Sequence, residues 1–334
     1  MRLIMPERMR GLHAIIPTPA KESAARVDAV DTVDLDETER LLNQLIKDGA
    51  SGFIILGTTG ECATLTKSEY MQFADCVLSV VNRRVPTIVG TSALGTHEIV
   101  ERIRFVRERG AAGTLLGLPM WQPVTRDMAV TFYARMSEAF PDFPIMAYAN
   151  QRAFRFKFDL EFWRTVAQKA PTVVAAKHSK PATFLDFLAA TEGKIQFVPH
   201  QSAAYKFEQL APGITTACWS TAACCGPEPA LAMINAILAG DLARAALVAE
   251  DLKYAADPLS YIVAQPELFA SYTIQSEKIR MDEAGYCKAG PVRPPYDVVP
   301  DDIAEASRES GRRWKALRSK YAQRASEARV VERA

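Results

Sequence analysis

Long apolar runs, surplus charge and metal-binding spacing are all scarce in this 334-residue chain, and each shortage excludes a class of function. No stretch reaches the roughly 20 apolar residues a helix needs to cross a bilayer, so an integral membrane protein is not expected. Forty Lys and Arg against 39 Asp and Glu give a formal charge of +1, too little to steer nucleic acid or an anionic membrane. The opening segment, MRLIMPERMRGLHAII, is too short and too broken by charge to read as a signal peptide. Six cysteines, at 62, 76, 218, 224, 225 and 287, include no CxxC pair and mostly fall within strand-like or helical segments. They read as reduced packing residues in a cytoplasmic protein. With four histidines and no HExxH, a metal site has little to build on, and neither metal nor cofactor is expected.

What is present is an alternation. Short β-like runs occur at 12–17, 52–56, 87–90, 113–118, 145–148, 172–177, 195–199 and 214–219. From the second onward their spacing is that of βα units rather than hairpins. Near-continuous apolar character suits parallel strands covered on both faces. Between them, Asp34-Leu35-Asp36-Glu37 and Thr66-Lys67-Ser68-Glu69 read as capping boxes. Leu41, Leu42, Leu45 and Ile46 follow the first, and Phe73, Val77 and Val80 the second, at helical spacing. Thr96 opens a third helix with Ile99, Ile103 and Val106 on one face. Eight such units predict an α/β fold, a closed (β/α)8 TIM barrel over residues 1–225.

Residues 226–334 are then expected to supply the last barrel helix and a C-terminal helical extension. Helical stretches are predicted at 226–239, 242–256 and 268–285, with a final one over 300–326. From Arg308 to Ala334 there are nine Lys and Arg against three acids. Without a compact polybasic block, that end reads as a solvated helix face rather than a nucleic-acid arm.

In a barrel of this kind the active site collects residues at the C-terminal ends of the strands. Lys177 closes the sixth run, Val173-Val174-Ala175-Ala176-Lys177. Lysine is rarely buried without a partner or a task, and desolvation favours the neutral amine that can attack a carbonyl. A surface lysine just past a strand is the bland alternative. The second run ends in Gly57-Thr58-Thr59-Gly60-Glu61, whose hydroxyls and backbone N–H groups suit a carboxylate, though an ordinary βα turn reads the same way. It lacks the GK[ST] of a phosphate loop. The fifth run ends in Tyr148-Ala149-Asn150, a phenol and an amide at the rim, or else a core tyrosine. The fourth leads to Trp121, the eighth ends at Trp219 and the seventh leads to His200. An amine, a phenol and a carboxylate cradle together suit a 2-oxo acid: the lysine condenses with the ketone, the iminium withdraws electrons and the phenol moves protons.

Those three motifs, in that order, resemble the pyruvate-dependent class I aldolases typified by dihydrodipicolinate synthase and N-acetylneuraminate lyase. The resemblance makes Lys177 the Schiff-base lysine, Tyr148 the proton carrier, and Thr58, Thr59 and Gly60 the grip on the pyruvate carboxylate. Departures narrow it. Trp121 stands where dihydrodipicolinate synthases carry a second tyrosine, Ala153 falls where their substrate arginine lies, with Arg152 one position off, and His178 follows the lysine in place of aspartate. These changes argue against lysine biosynthesis. Gly60-Glu-Cys-Ala-Thr-Leu-Thr66, Leu116-Gly-Leu-Pro-Met-Trp121, Cys224-Cys-Gly-Pro227, Lys278-Ile-Arg-Met-Asp282 and Lys288-Ala-Gly-Pro-Val-Arg-Pro-Pro-Tyr296 resemble the hydratase-aldolases of aromatic hydrocarbon breakdown instead.

That branch implies an ortho-substituted benzylidenepyruvate as substrate, and an aromatic aldehyde and pyruvate as products. It casts Trp121 and Trp219 as walls for an aryl ring and Asn150 as the group that orients water or the C4 hydroxyl. The segment between Ser271 and Ser276 is expected to reach over the pocket toward the ortho group, and the assembly is expected to be a homo-oligomer, a tetramer. Three alternatives stay open: an aldolase for a sugar-derived 2-oxo acid, a non-catalytic 2-oxo-acid-binding regulatory protein, and an unrelated barrel with a structural lysine.

Overall fold

Apolar strands with both faces to cover pair in parallel and need helices on the outside. The computed structural model describes residues 9–331, with side chains through 323, so the first eight residues of the opening segment and the last residues of the basic end lie outside it. The strands are β1 (Gly11–Ile15), β2 (Gly52–Ile55), β3 (Thr87–Gly90), β4 (Gly113–Leu116), β5 (Ile145–Tyr148), β6 (Val173–Lys177), β7 (Gln196–Val198) and β8 (Ala217–Ser220). They run in parallel in the order β7-β6-β5-β4-β3-β2-β1-β8. Between β7 and β8 the backbone N–H of Trp219 donates to the Pro199 carbonyl at 2.9 Å, and His200 bridges Trp219 in parallel. The ring is thereby closed as a TIM barrel, as the alternation predicted.

The β5–β6 pair contains one irregularity with consequences for the site. Ile145 pairs with Val173, but Met146 pairs with Ala175, so Val174 is an extra residue in β6. A one-residue insertion reverses the face on which every later side chain lies. It is this bulge that sets Lys177 level with Tyr148.

The helices of the barrel are α1 (Leu35–Lys47), α2 (Lys67–Val81), α3 (Thr96–Glu108), α4 (Arg126–Ala139), the single-turn α5 (Gln151–Phe154), α6 (Leu160–Lys169), α7 (Pro181–Ala190), α8 (Gln201–Leu210) and α9 (Glu228–Leu238). Thr66 and Glu69 form both halves of the capping box that starts α2. At α1 only one half forms. Asp34 accepts from the Glu37 N–H at 2.9 Å, while the Glu37 carboxylate turns away to Arg40 and to the Lys288 N–H.

Four more helices follow: α10 (Leu242–Ala256), the short α11 (Ser260–Val263), α12 (Pro266–Ala284) and α13 (Asp301–Val331). α12 packs along α13 and against the 3₁₀ turn Ala222–Cys225 that follows β8, which places it at the C-terminal mouth of the barrel. Trp314 of α13 is 1% exposed, and its indole N–H donates to the Gly226 carbonyl at 2.9 Å. With Leu317 and Tyr321 it joins the same core as the barrel. Among the described residues all six cysteines are free, and no helix is long and apolar enough to cross a membrane.

Candidate active site

Register partners on adjacent strands leave the sheet on the same side, so the Lys177 and Tyr148 side chains share one face. Lys177 Nζ lies 3.8 Å from the centre of the Trp219 ring and 5.1 Å from that of Tyr148. The side chain is half-buried. Burial lowers the amine's pKa to about 7, with the negative charge of Glu277 opposing the shift. Near neutrality such a lysine is split between ammonium and free amine, where an ordinary one is almost wholly charged.

Tyr148 is buried, and its hydroxyl shares a 2.7 Å hydrogen bond with Thr58 Oγ1. The Thr58 N–H points at the same phenol oxygen from 3.4 Å. Asn150 completes the group. Its Oδ1 accepts from the Ala153 N–H at 3.2 Å and caps α5, which turns Nδ2 toward Thr58 Oγ1 and the Tyr148 hydroxyl, each 3.4 Å away. Phe154, brought back by that single turn, stands edge-on to the Tyr148 ring at 5.5 Å. It fits only because residue 117 is glycine: a Cβ there would lie 1.9 Å from the Phe154 ring.

The strand-two loop is tightly wound. The Glu61 N–H donates to the Thr58 carbonyl at 2.9 Å, and a Cβ at Gly60 would come within 2.8 Å of the Leu56 nitrogen. Leu56 and Glu61 both sit at positive φ, 56° and 51°, a conformation that side chains disfavour. Thr59 is buried within this turn, and the Gly60 carbonyl accepts from the Thr18 hydroxyl at 2.8 Å. The structure thus gathers Lys177, Tyr148, Thr58, Asn150 and Trp219, with Thr59 and Gly60 in the adjoining turn. Chemically, the arrangement offers a neutral amine for a carbonyl, a phenol for proton transfer, and hydroxyl and backbone donors for a carboxylate.

Trp219 is held flat by its own hydrogen bond, the indole N–H donating to the Val198 carbonyl at 3.1 Å. The His200 ring leans against it, tilted by 57° with ring centres 4.6 Å apart. Burial, aided by the cations Arg280 and Lys177, lowers His200 to about 3, so it is neutral, and its Nδ1 pairs with the Ser202 hydroxyl at 2.7 Å at the start of α8. Trp121 is not brought to the cluster. Arg155 holds the backbone carbonyls of Met120 and Trp121, and the indole is left 77% exposed. Arg152 also turns elsewhere, its guanidinium 4.3 Å from the centre of the Phe269 ring on α12.

Reading by motif assigned no role to three residues that meet beside the cradle. Glu61 accepts from Lys278 and Arg293 in the interior, although they stand 217 and 232 residues away. All three lie in blocks that resemble the hydratase-aldolases, but no local signal pairs residues so distant in sequence.

A (β/α)8 barrel with a lysine–tyrosine pair at its C-terminal mouth defines the class of enzyme. The chain belongs to the dihydrodipicolinate synthetase family, whose sequence pattern it matches over residues 23–308. It is 39% identical to the trans-O-hydroxybenzylidenepyruvate hydratase-aldolase of Pseudomonas aeruginosa, covering 94% of this chain and 95% of the relative. Identity is 36% to the trans-2'-carboxybenzalpyruvate hydratase-aldolase of Nocardioides sp. strain KP7, over 93% and 94% of the two chains. Among solved structures, PhdJ bound to a substrate intermediate superposes with a TM-score of 0.89 at 34% identity, covering 93% of this chain and 97% of that one.

Proposed function

We propose that the protein is a lyase of the class I aldolase type, a hydratase-aldolase that converts an ortho-substituted benzylidenepyruvate to an aromatic aldehyde and pyruvate. The observation that carries this reading is Lys177, its amine lowered to about 7 and set between Trp219 and Tyr148. The hydratase-aldolase relatives supply the substrate class. Lys177 attacks C2 of the 2-oxo acid and, with loss of water, forms an iminium. The conjugated alkene becomes electrophilic at C4, where the oxygen of water adds to give an enamine, and a proton taken up at C3 restores the iminium. Tyr148 removes the proton of the new hydroxyl, the C3–C4 bond breaks, and its electrons pass into the iminium as an enamine. Protonation at C3 and hydrolysis then release pyruvate and the free amine.

Thr58, Thr59 and the Gly60 turn hold the carboxylate, Asn150 orients the added water through its fixed Nδ2, and Trp219 offers a face to the aryl ring. Trp121 has no part in this single-chain geometry. We place the enzyme in the cytoplasm as a homotetramer, an assembly that light scattering would measure directly. Incubation with pyruvate and borohydride is expected to leave a covalent adduct on Lys177 by mass spectrometry. An unlabelled wild type, or equal labelling of Lys177→Ala, would falsify the Schiff-base mechanism. Loss of the ultraviolet absorbance of a benzylidenepyruvate is expected on turnover. Activity confined to sugar-derived 2-oxo acids would reject the aryl substrate.

A further inference from the structure

Three charges lie in the interior beside the carboxylate cradle. The side chains of Glu61, Lys278 and Arg293 are 0%, 1% and 4% exposed. Glu61 Oε2 accepts from Lys278 Nζ at 2.8 Å and from Arg293 Nη1 at 2.6 Å, and Oε1 accepts from the Arg293 backbone N–H at 2.9 Å. Lys278 also donates to the Pro291 carbonyl at 2.7 Å, and Arg293 to the Thr32 hydroxyl and the Thr18 carbonyl. Buried ion clusters of this kind seldom add stability over apolar packing of the same volume, because each charge must first be desolvated. What this cluster does is join three separate pieces of chain. Glu61 follows Thr58-Thr59-Gly60, Lys278 follows Glu277 on α12, and Arg293 lies in the connection to α13.

We propose that Glu61 is a positioning residue, pinned by Lys278 and Arg293 so that the strand-two cradle presents its donors to the substrate carboxylate as Lys177 meets the ketone. The inference rests on the Schiff-base reading above. Glu61 stands at positive φ, and Gly60 lies so close to Leu56 that no Cβ would fit, so a shift of the carboxylate carries with it the tightly wound turn that holds Thr58. Removing a pin therefore loosens the grip on the carboxylate while leaving the amine on β6 in place.

Borohydride trapping with two ketones separates these effects: pyruvate carries the carboxylate and acetone does not. Lys278→Met removes one of two cations and leaves Glu61 balanced by Arg293. Its half-saturating pyruvate concentration is expected to rise about tenfold, while acetone trapping stays within about threefold of wild type. Glu61→Gln is expected to move the same way and further, measured below its own thermal midpoint. It is the deciding variant if Lys278→Met does not fold. A folded variant with wild-type pyruvate saturation overturns the inference, and so does an equal fall for both ketones, which would mean that Lys177 itself had moved. A wild type that pyruvate does not label overturns the Schiff-base reading and this inference with it, a result visible before any variant is made.

Discussion

Lys177 concentrates the conflict between stability and chemistry in a single residue. Its folded pKa is about 7 and its ordinary value 10.5. Below pH 7 both folded and unfolded chains hold the proton, and the full cost of burying the charge falls on the fold. Between 7 and 10.5 the unfolded chain binds the proton more tightly, so stability at this site rises with pH and the cost vanishes above 10.5. Lys177→Met is therefore expected to raise the thermal midpoint most below pH 7, with the gain shrinking toward pH 10. Circular dichroism melts at pH 6 and pH 9.5 would reveal it, and a gain independent of pH would contradict the assignment. In the wild type, pyruvate-dependent trapping should rise with pH through about 7, following the free amine. Lys177, Tyr148 and Thr58 were legible in the sequence because each ends an apolar run, and strand ends in a barrel converge. Trp121 looked equivalent to Trp219, but its orientation depends on the grip of Arg155 on its backbone, which no spacing encodes.

Within the elements, the bulge at Val174 matters more than any other detail. The run Val-Val-Ala-Ala is uniformly apolar and has no period-2 signal to mark an inside and an outside, so its register could be learned only from pairing with β5. Deleting Val174 should give regular pairing after Ile145 while Met146, Ala147 and Tyr148 keep their partners, so the lysine stays on the face of Tyr148. Trapping with pyruvate is therefore expected to persist where far-ultraviolet dichroism shows a folded barrel; loss of labelling would show that the register is set from the other end of the strand and that the lysine has slipped to the opposite face. Helix starts were partly legible. The capping box of α2 formed in full, whereas at α1 the Glu37 carboxylate was claimed by Arg40 and the distant Lys288, a competition between local and tertiary partners.

For the molecule as a whole, the helices beyond the barrel are part of its structure rather than an appendage. Trp314 is buried in the common core and bonded to the turn after β8, and α12 supplies Glu277, whose charge acts on Lys177, and Lys278. Trp314→Ala is expected to cost about 3–5 kcal/mol, the range for deleting a buried aromatic. A urea titration followed by dichroism would measure it, and a loss under about 1 kcal/mol would mean that α13 is dispensable to the barrel. Helicity in 226–334 was foreseeable from periodicity, whereas its position over the mouth was foreseeable only through the family resemblance.

Local chemistry was enough to determine the alternation of strands and helices, hence the barrel, and to name the amine, the phenol and the cradle at its strand ends. Those properties are written in runs of a few residues: apolar continuity, caps and the residue that closes each strand. Tertiary structure alone decided which way Lys177 faces, which tryptophan meets it, and that Glu61 is tied to Lys278 and Arg293. Each of these depends on groups more than twenty residues apart, brought together only when the barrel closes and α12 settles across its mouth.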